Sequence, residues 1–289
     1  MRIFVTGASG WIGSAVVPEL LAAGHDVVGL ARSEAAAARV AALGADVRRG
    51  DLADTAGLAE AAAKSDGVVH LGYHHDFSQM TEAAAQDRAA IDAMSVELDG
   101  KPLVFASGLV GVRTEDERPA TGGHPRVANT AAALALADRG VRAVAVRFAP
   151  TVHGRGDHGF VAELARVARE RRVSAYVGDG SGAWAAVHRS DAARLVRLAL
   201  EGAAAGTAVH AVAEEGVPTR LIAEAIGRGL GVPVESVPAD QASARLGWIG
   251  PFFGMDLAAS SETTRELLGW RPSGPTLLED IDAGYYTAG

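Results

Sequence analysis

The chain has 289 residues, of which 48% are hydrophobic and 21% are charged, and its formal net charge is −8. These values are typical of a globular protein and exclude collagen-like, coiled-coil and wholly disordered chains. The acidic balance argues against nucleic-acid binding through a broad basic surface, and the absence of cysteine excludes disulfides, zinc–thiolate sites and cysteine nucleophiles.

The first 150 residues alternate short β-branched runs with alanine-rich helical segments. The runs predict strands at 3–5, 26–30, 45–47, 67–71, 102–106 and 143–148. The segments between them predict helices at 11–23, 34–43, 80–98 and 125–138. Because the strands are continuously apolar and alternate with helices, we expect an α/β fold with a doubly wound parallel sheet covered on both faces.

The alternation is less regular after Pro150, where helices are predicted at 160–171, 188–201 and 263–268 and strands at 175–177 and near Val209. We therefore expect a main domain over 1–150 and a smaller C-terminal domain over 151–289, interleaved with the edge of the sheet. No apolar run approaches the ~20 residues of a membrane span. The N-terminus enters a strand without a signal peptide, so we expect a cytoplasmic protein with no membrane partner.

A glycine-rich turn, Thr6 to Gly13, follows the first strand and opens the first helix. Gly7 permits the tight turn, Gly10 lets the backbone approach a pyrophosphate, and Gly13 lets helix and strand pack closely. The helix N-terminus adds donors and positive potential for phosphate. A turn that uses glycine for geometry alone is the alternative, but the position between strand and helix favours dinucleotide binding.

The segment from Thr6 to Gly13 resembles the cofactor turn of the short-chain dehydrogenase/reductase superfamily, in its extended, NAD(P)-dependent epimerase/dehydratase-like branch. Other segments resemble that branch in the same order along nearly the whole chain. They are Gly50–Leu52, Asp66–Gly72, Phe105–Ser107, Arg147–Gly154, Val187–His188 with Asp191, and Leu268–Pro272. The resemblance implies a Rossmann domain in 1–150, a substrate-binding region in 151–289 and, at the level of the family, a homodimer.

The resemblance also implies a nicotinamide cofactor. The residues expected to contact it are Thr6, Gly7, Ser9, Gly10, Trp11, Ile12, Gly13, Asp51, Leu52, Leu71, Gly72, Tyr73, Phe148, Pro150 and His153. An acidic residue at the tip of the second strand would bind the ribose 2′-hydroxyl of NAD. This chain instead has Arg32 and Ser33, which could bind a 2′-phosphate, so we expect NADP(H). The alternative is a solvated Arg32 beside a helix-capping Ser33.

The resemblance would further imply a Tyr-x-x-x-Lys pair on the helix after the fifth strand, but residues 121–130 contain neither residue type. Ser107 at the end of the fifth strand could hydrogen-bond a substrate carbonyl, and Tyr73 after the fourth strand could reach the same place. His75 could supply protons near neutral pH. The structural alternatives are a turn former for Ser107, a pocket wall for Tyr73 and a helix cap for His75.

His124 and Arg126 occupy the neighbourhood of the missing pair and are further stand-ins. No metal site is expected, because His70 and His74 lie on a strand-to-loop segment where their spacing does not place them on one face.

Trp184 stands where nucleotide-sugar enzymes of this branch have a diphosphate-binding arginine, which argues against a nucleotide-sugar substrate. Trp184, Trp248 and Phe252 could instead line an apolar pocket, or could be ordinary core. We therefore expect an NADP(H)-dependent oxidoreductase, of the carbonyl reductase or alcohol dehydrogenase type, acting on a small, fairly apolar molecule. The alternatives are an epimerase or dehydratase that retains its cofactor, and a non-catalytic NADP(H)-binding sensor.

Overall fold

The computed structural model describes residues 1–74, 79–118 and 125–288. The strands are β1 (Arg2–Thr6), β2 (Asp26–Ala31), β3 (Asp46–Arg49), β4 (Gly67–His70), β5 (Pro102–Gly108), β6 (Arg142–Phe148), β7 (Thr151–His153), β8 (Ser174–Val177), β9 (Ala183–His188), β10 (Thr207–Ala211), β11 (Glu214–Pro218) and β12 (Val234–Val237). The helices are α1 (Gly13–Ala22), α2 (Glu34–Ala42), α3 (Thr55–Ala63), α4 (Met80–Ser95), α5 (Pro125–Leu134), α6 (Phe160–Arg171), α7 (Arg189–Gly202), α8 (Thr219–Leu230), α9 (Ala242–Leu246), α10 (Ile249–Phe253), α11 (Glu262–Leu268) and α12 (Leu277–Asp282).

The chain divides into two compact units, each assembled from three segments. Unit 1 comprises Met1–Arg147, Ala193–His210 and Glu262–Trp270. Unit 2 comprises Phe148–Ala192, Ala211–Ser261 and the C-terminal segment from Arg271.

Unit 1 is built on a seven-stranded sheet with the order β10-β6-β5-β4-β1-β2-β3. The pairs β1–β2, β1–β4, β2–β3 and β4–β5 are parallel, and sequence-adjacent strands are joined through helices. This confirms the predicted α/β class with a doubly wound sheet. Because β1 lies between β4 and β2, the strand order reverses there, which is where open α/β sheets bind ligands beyond the carboxyl ends of their strands.

The core of unit 1 explains why the apolar runs become strands. Phe4, Val68 and Phe105 of three neighbouring strands are at most 1% exposed, and they pack in one cluster with Leu58 of α3 and Met94 of α4. Each such side chain contributes roughly 1.5–3 kcal/mol when fully buried. The cluster therefore holds the central strands, and with them their carboxyl ends, in fixed positions.

Unit 2 contains a three-stranded sheet, β11-β9-β7, and a two-stranded sheet, β12-β8. Its apolar core surrounds Trp184 of β9, which is completely buried and packs on Phe252 and Phe253 with ring centroids 5.2 and 5.0 Å away. Within the part of the chain that the structure describes, no helix combines the length and apolar character needed to cross a bilayer.

Candidate active site

The glycine-rich turn lies at the carboxyl end of β1. Gly7 has a φ of +66°, and a Cβ there would lie 2.7 Å from the backbone of Leu71 and Gly72. A Cβ at Gly13 would lie 2.1 Å from Gly7 O. The fold itself therefore requires glycine at 7 and 13, whereas a Cβ at Gly10 would have one neighbour within 4 Å, Gly7 O at 3.1 Å.

Thr6 joins the glycine turn to the end of the neighbouring strand β4. Its Oγ1 accepts a hydrogen bond from the Gly72 amide at 3.0 Å and lies 2.7 Å from His70 Nδ1. Both side chains are buried. This arrangement fixes the backbone at Gly72, directly before Tyr73.

His70 belongs to a hydrogen-bonded network that crosses from β4 to α4 and α5. Its Nε2 lies 3.2 Å from Asp87 Oδ1, and Asn129 Nδ2 donates to Asp87 Oδ2 at 2.9 Å. Burial alone would raise the pKa of Asp87, but the hydrogen bonds from His70 and Asn129 and the charge of Arg126 together lower it. Asp87 is therefore held as a buried carboxylate.

Tyr73 follows β4 and is partly buried. The Cζ atom of Arg126 lies 4.1 Å from the centroid of the Tyr73 ring, a cation–π arrangement. Burial raises the pKa of Tyr73, the positive charge of Arg126 lowers it, and the negative charge of Asp87 raises it. The phenol is therefore protonated at neutral pH and has a cation beside it.

Ser107 lies near the end of β5, the strand next to β4. Its Oγ is 2.7 Å from Thr130 Oγ1 on α5, and the Thr130 hydroxyl also reaches Arg126 O at 3.0 Å. Thr130 was not predicted from the sequence. Its spacing of four residues from Arg126 places both on one face of α5, but only the fold reveals that this face adjoins Ser107.

The tip of β2 contains the residues expected to select the cofactor. Arg32 is largely exposed, and its Nε lies 3.8 Å from Asp51 Oδ2. Ser33 caps α2 by accepting a hydrogen bond from the Ala36 amide. This is the helix-capping role that the sequence offered as the alternative to phosphate binding. Arg49 Nη1 donates to Ser33 O at 2.8 Å, so a second arginine lies at this tip. Arg49, which pairs with Ala31 in the β2–β3 register, was not predicted from the sequence.

The remaining predicted cofactor contacts of unit 1 are partly buried; they are Ser9, Trp11, Ile12, Leu52 and Leu71. His75 and His124 lie outside the described residues.

In unit 2, the residues predicted to contact the cofactor differ in burial. Phe148 is buried and Pro150 is partly buried. His153 is fully buried, with Nδ1 2.6 Å from Asp280 Oδ2. Burial lowers the pKa of His153, and the hydrogen bond that His153 donates to Asp280 opposes that shift.

The three predicted substrate residues also lie in unit 2. Trp184 has no exposed surface, which gives it a packing role within that unit. Phe252 is partly buried, and Trp248 is 55% exposed, with Nε1 donating to Glu163 Oε1 at 3.0 Å. Trp248 and Phe252 are therefore the two of the three that present surface.

Comparison with known proteins agrees with this architecture. A model of the NAD dependent epimerase/dehydratase family matches residues 3–97. An uncharacterized protein of Saccharomyces cerevisiae is 44% identical over 99% of this chain and 99% of its own length. A 2-alkyl-3-oxoalkanoate reductase of Stenotrophomonas maltophilia is 29% identical, and the match covers 86% of this chain and 82% of the reductase.

The fold is also similar to a solved dTDP-glucose 4,6-dehydratase from Streptomyces venezuelae, whose structure contains NAD and TYD. The TM-score is 0.77 at 22% identity, covering 99% of this chain and 96% of that one. The fold and the glycine turn thus define a Rossmann-type α/β protein with a doubly wound sheet. Within that class, the chain belongs to the NAD-dependent epimerase/dehydratase family.

Proposed function

We propose that the protein is an NADP(H)-dependent oxidoreductase that interconverts a small, fairly apolar carbonyl compound and its alcohol. The observation that carries the proposal is the convergence of three features at neighbouring strand ends. The glycine turn follows β1, Tyr73 follows β4, and Ser107 lies near the end of β5, in a sheet where β1, β4 and β5 are adjacent.

The glycine turn fits a dinucleotide. Glycine at position 10 is not demanded by close packing, so a ligand that approaches the backbone there explains it. Helix α1 has no acidic residue in its first turn and no side-chain cap at Ile12, so its N-terminal amides and dipole suit a pyrophosphate. Arg32, assisted by Arg49 and the Ser33 hydroxyl, would bind the 2′-phosphate of NADP(H).

The bound dihydronicotinamide would supply a hydride to the carbonyl carbon. Tyr73, protonated at neutral pH, would donate its proton to the carbonyl oxygen. The Thr130 hydroxyl has two acceptors within reach, Arg126 O and Ser107 Oγ. When Thr130 donates to Ser107, the Ser107 hydroxyl is free to donate to the same carbonyl oxygen, which polarises the bond.

A carbonyl substrate with alkyl groups is supported by the similarity to the Stenotrophomonas 2-alkyl-3-oxoalkanoate reductase, whose substrate class combines a ketone, alkyl groups and a carboxylate. Trp184 in place of a diphosphate-binding arginine argues against a nucleotide sugar.

The test is turnover. Purified protein is mixed with NADPH or NADH and with a panel of aliphatic and aromatic ketones, aldehydes and 3-oxo acids, and nicotinamide absorbance is followed. We expect oxidation of NADPH by at least one carbonyl, with NADH used less efficiently. Tight NADPH binding without any turnover would instead support the non-catalytic sensor.

A second candidate is an epimerase or dehydratase that retains its cofactor, and the family match favours it. Such an enzyme carries nicotinamide through purification and recycles it, so it shows no net oxidation. Nicotinamide released by denaturing the purified protein, together with no net absorbance change in the panel, would select this candidate.

A further inference from the structure

Helix α5 presents two side chains to the proposed active site. Arg126 lies in its first turn, with Cζ 4.1 Å from the Tyr73 ring centroid. Thr130, four residues later, contacts Ser107 Oγ at 2.7 Å. One face of α5 therefore meets both hydroxyl-bearing residues, and the residue that meets the tyrosine is a cation.

The position of Arg126 is supported by its neighbours. Asn129 on the same helix donates to Asp87 Oδ2, and also to Ala84 O at 2.7 Å, which ties α5 to α4. Asp87 is bonded in turn to His70 of β4. Among the residues that the structure describes, the charged or titratable groups around Tyr73 are Arg126 from α5, Asp87 from α4, His70 from β4 and the exposed His74 that follows Tyr73.

We propose that Arg126 supplies the positive charge that stabilises the ionised form of Tyr73, and that it is the positioning residue which replaces the missing lysine. This inference rests on the proposed function. In the reduction, the hydride pair forms the new C–H bond and the carbonyl π pair moves to oxygen. That oxygen takes the Tyr73 proton, and Tyr73 is left as a phenolate beside Arg126 until water returns a proton.

An arginine suits this geometry better than a lysine would. Its planar guanidinium can stack on an aromatic ring. Burial lowers the pKa of Arg126, and the negative charge of Asp87 opposes that shift. Asp87 beside it balances the charge of the arginine, so the pair is tolerated in a partly buried place.

The first arm of the test needs no substrate or cofactor. The protein is labelled with 3-fluorotyrosine, whose fluorine acidifies the phenol and reports its ionisation by NMR. The chain has four tyrosines, and Tyr73→Phe identifies the Tyr73 resonance. We expect Arg126→Gln to raise the pKa of Tyr73 by about one unit, Arg126→Lys to raise it less, and Asp87→Asn to lower it.

A matched control lies in unit 2, where Arg220 Cζ is 5.7 Å from the Tyr176 ring centroid. Arg220→Gln should leave the Tyr73 titration and the turnover unchanged. Because Arg126→Gln and Asp87→Asn shift Tyr73 in opposite directions, a general loosening of the fold cannot reproduce the pattern.

The second arm measures kcat with NADPH and a carbonyl found in the panel. We expect Arg126→Gln to lower kcat about tenfold or more, with partial rescue in Arg126→Lys. An unmoved Tyr73 pKa in Arg126→Gln overturns the inference, even if kcat falls. A shifted pKa in a protein that turns over no carbonyl would overturn the proposed function while the Arg126–Tyr73 coupling stands.

Discussion

Each unit contains a buried histidine–aspartate pair, and the two pairs differ in what surrounds them. In unit 1, both ring nitrogens of His70 have a partner, Thr6 at 2.7 Å and Asp87 at 3.2 Å. In unit 2, His153 Nδ1 meets Asp280 at 2.6 Å, but within the described residues His153 Nε2 has no hydrogen-bond partner. The first pair connects β1, β4 and α4, whereas the second connects β7 to α12.

The tyrosines beside these pairs sharpen the difference. Tyr73 in unit 1 lies beside the cation of Arg126. Tyr286 in unit 2 is buried, and its hydroxyl donates to Asp157 Oδ2 at 2.9 Å. Burial and the Asp157 charge raise the pKa of Tyr286 far above its usual range. We therefore propose proton transfer for the tyrosine that lies beside a cation, and a structural role for the tyrosine that is hydrogen-bonded to a carboxylate.

The largest expected effect concerns the glycine turn of unit 1. Gly10→Val places a branched side chain where the backbone must approach the pyrophosphate, so NADPH binding should be abolished while the fold survives. Binding is measured by fluorescence titration, and folding by circular dichroism. Gly202→Val in α7 is the control, because a Cβ there has nothing within 4 Å. NADPH binding in a folded Gly10→Val protein would contradict the dinucleotide assignment.

The next prediction compares the same substitution at the two tyrosines, Tyr73 and Tyr286. Tyr73→Phe should lower kcat by roughly 10²–10³-fold, as should Ser107→Ala, because each removes a donor to the reacting oxygen. Tyr286→Phe should leave kcat nearly unchanged and lower the free energy of unfolding by about 1–3 kcal/mol, because Asp157 loses a buried donor. Kinetics and urea unfolding are measured on each variant. The reverse pattern would refute the division of roles between the units.

Local patterns in the sequence were enough to predict the glycine turn and the strands that surround it. Turn geometry depends on neighbouring residues, and the apolar runs of β1 and β4 need no partner to be recognised. The His70–Asp87–Asn129 network was not predicted, because its members are 17 and 42 residues apart and only packing of α4 and α5 brings them together. The contacts of Thr130 with Ser107 and of Arg126 with Tyr73 were not predicted for the same reason.

Unit 2 was less predictable for a related physical reason. Its strands are short, and β11 pairs with β9 through an irregular register, so alternation of apolar residues is weak. Trp184 was expected as a candidate pocket residue. The sequence around it does not distinguish a tryptophan that lines a pocket from one in the hydrophobic core. Its burial depends on Phe252 and Phe253, which lie nearly seventy positions later in the chain.

A smaller effect is expected at the tip of β2. Arg32→Asp replaces a phosphate-binding cation with an acid, so NADPH affinity should fall about tenfold or more, since a charge-assisted hydrogen bond contributes roughly 1.5–3 kcal/mol. NADH affinity should change much less. Arg171→Asp on α6 makes the same change of net charge in unit 2 and serves as the control. A wild-type protein that prefers NADH would contradict the NADP(H) assignment.

The smallest effect concerns the pH dependence of stability, which we compare for the buried Asp87 and the partly buried Asp157. Asp87 in unit 1 has a pKa below 3.8, because hydrogen bonds from His70 and Asn129 and the Arg126 charge outweigh burial. Asp157 in unit 2 has a pKa above 3.8, because burial outweighs its hydrogen bonds from Gly159 and Tyr286. Each unit of such a shift corresponds to about 1.4 kcal/mol.

The two aspartates change the free energy of unfolding with pH in opposite directions. Between its lowered pKa and 3.8, Asp87 holds fewer protons in the folded than in the unfolded chain, so its contribution is full above pH 3.8 and is lost as pH falls. Asp157 holds more protons when folded, so the stability linked to its protonation is present at low pH and is lost as pH rises through its folded pKa. Urea unfolding across this range measures the free energy of unfolding of wild type and of each variant. The wild type should exceed Asp87→Asn by most near neutral pH, and it should exceed Asp157→Asn by most at low pH. If the free energy of unfolding changed with pH by the same amount in the two variants, the two carboxyl groups would have pKa values shifted in the same direction, which would contradict this prediction.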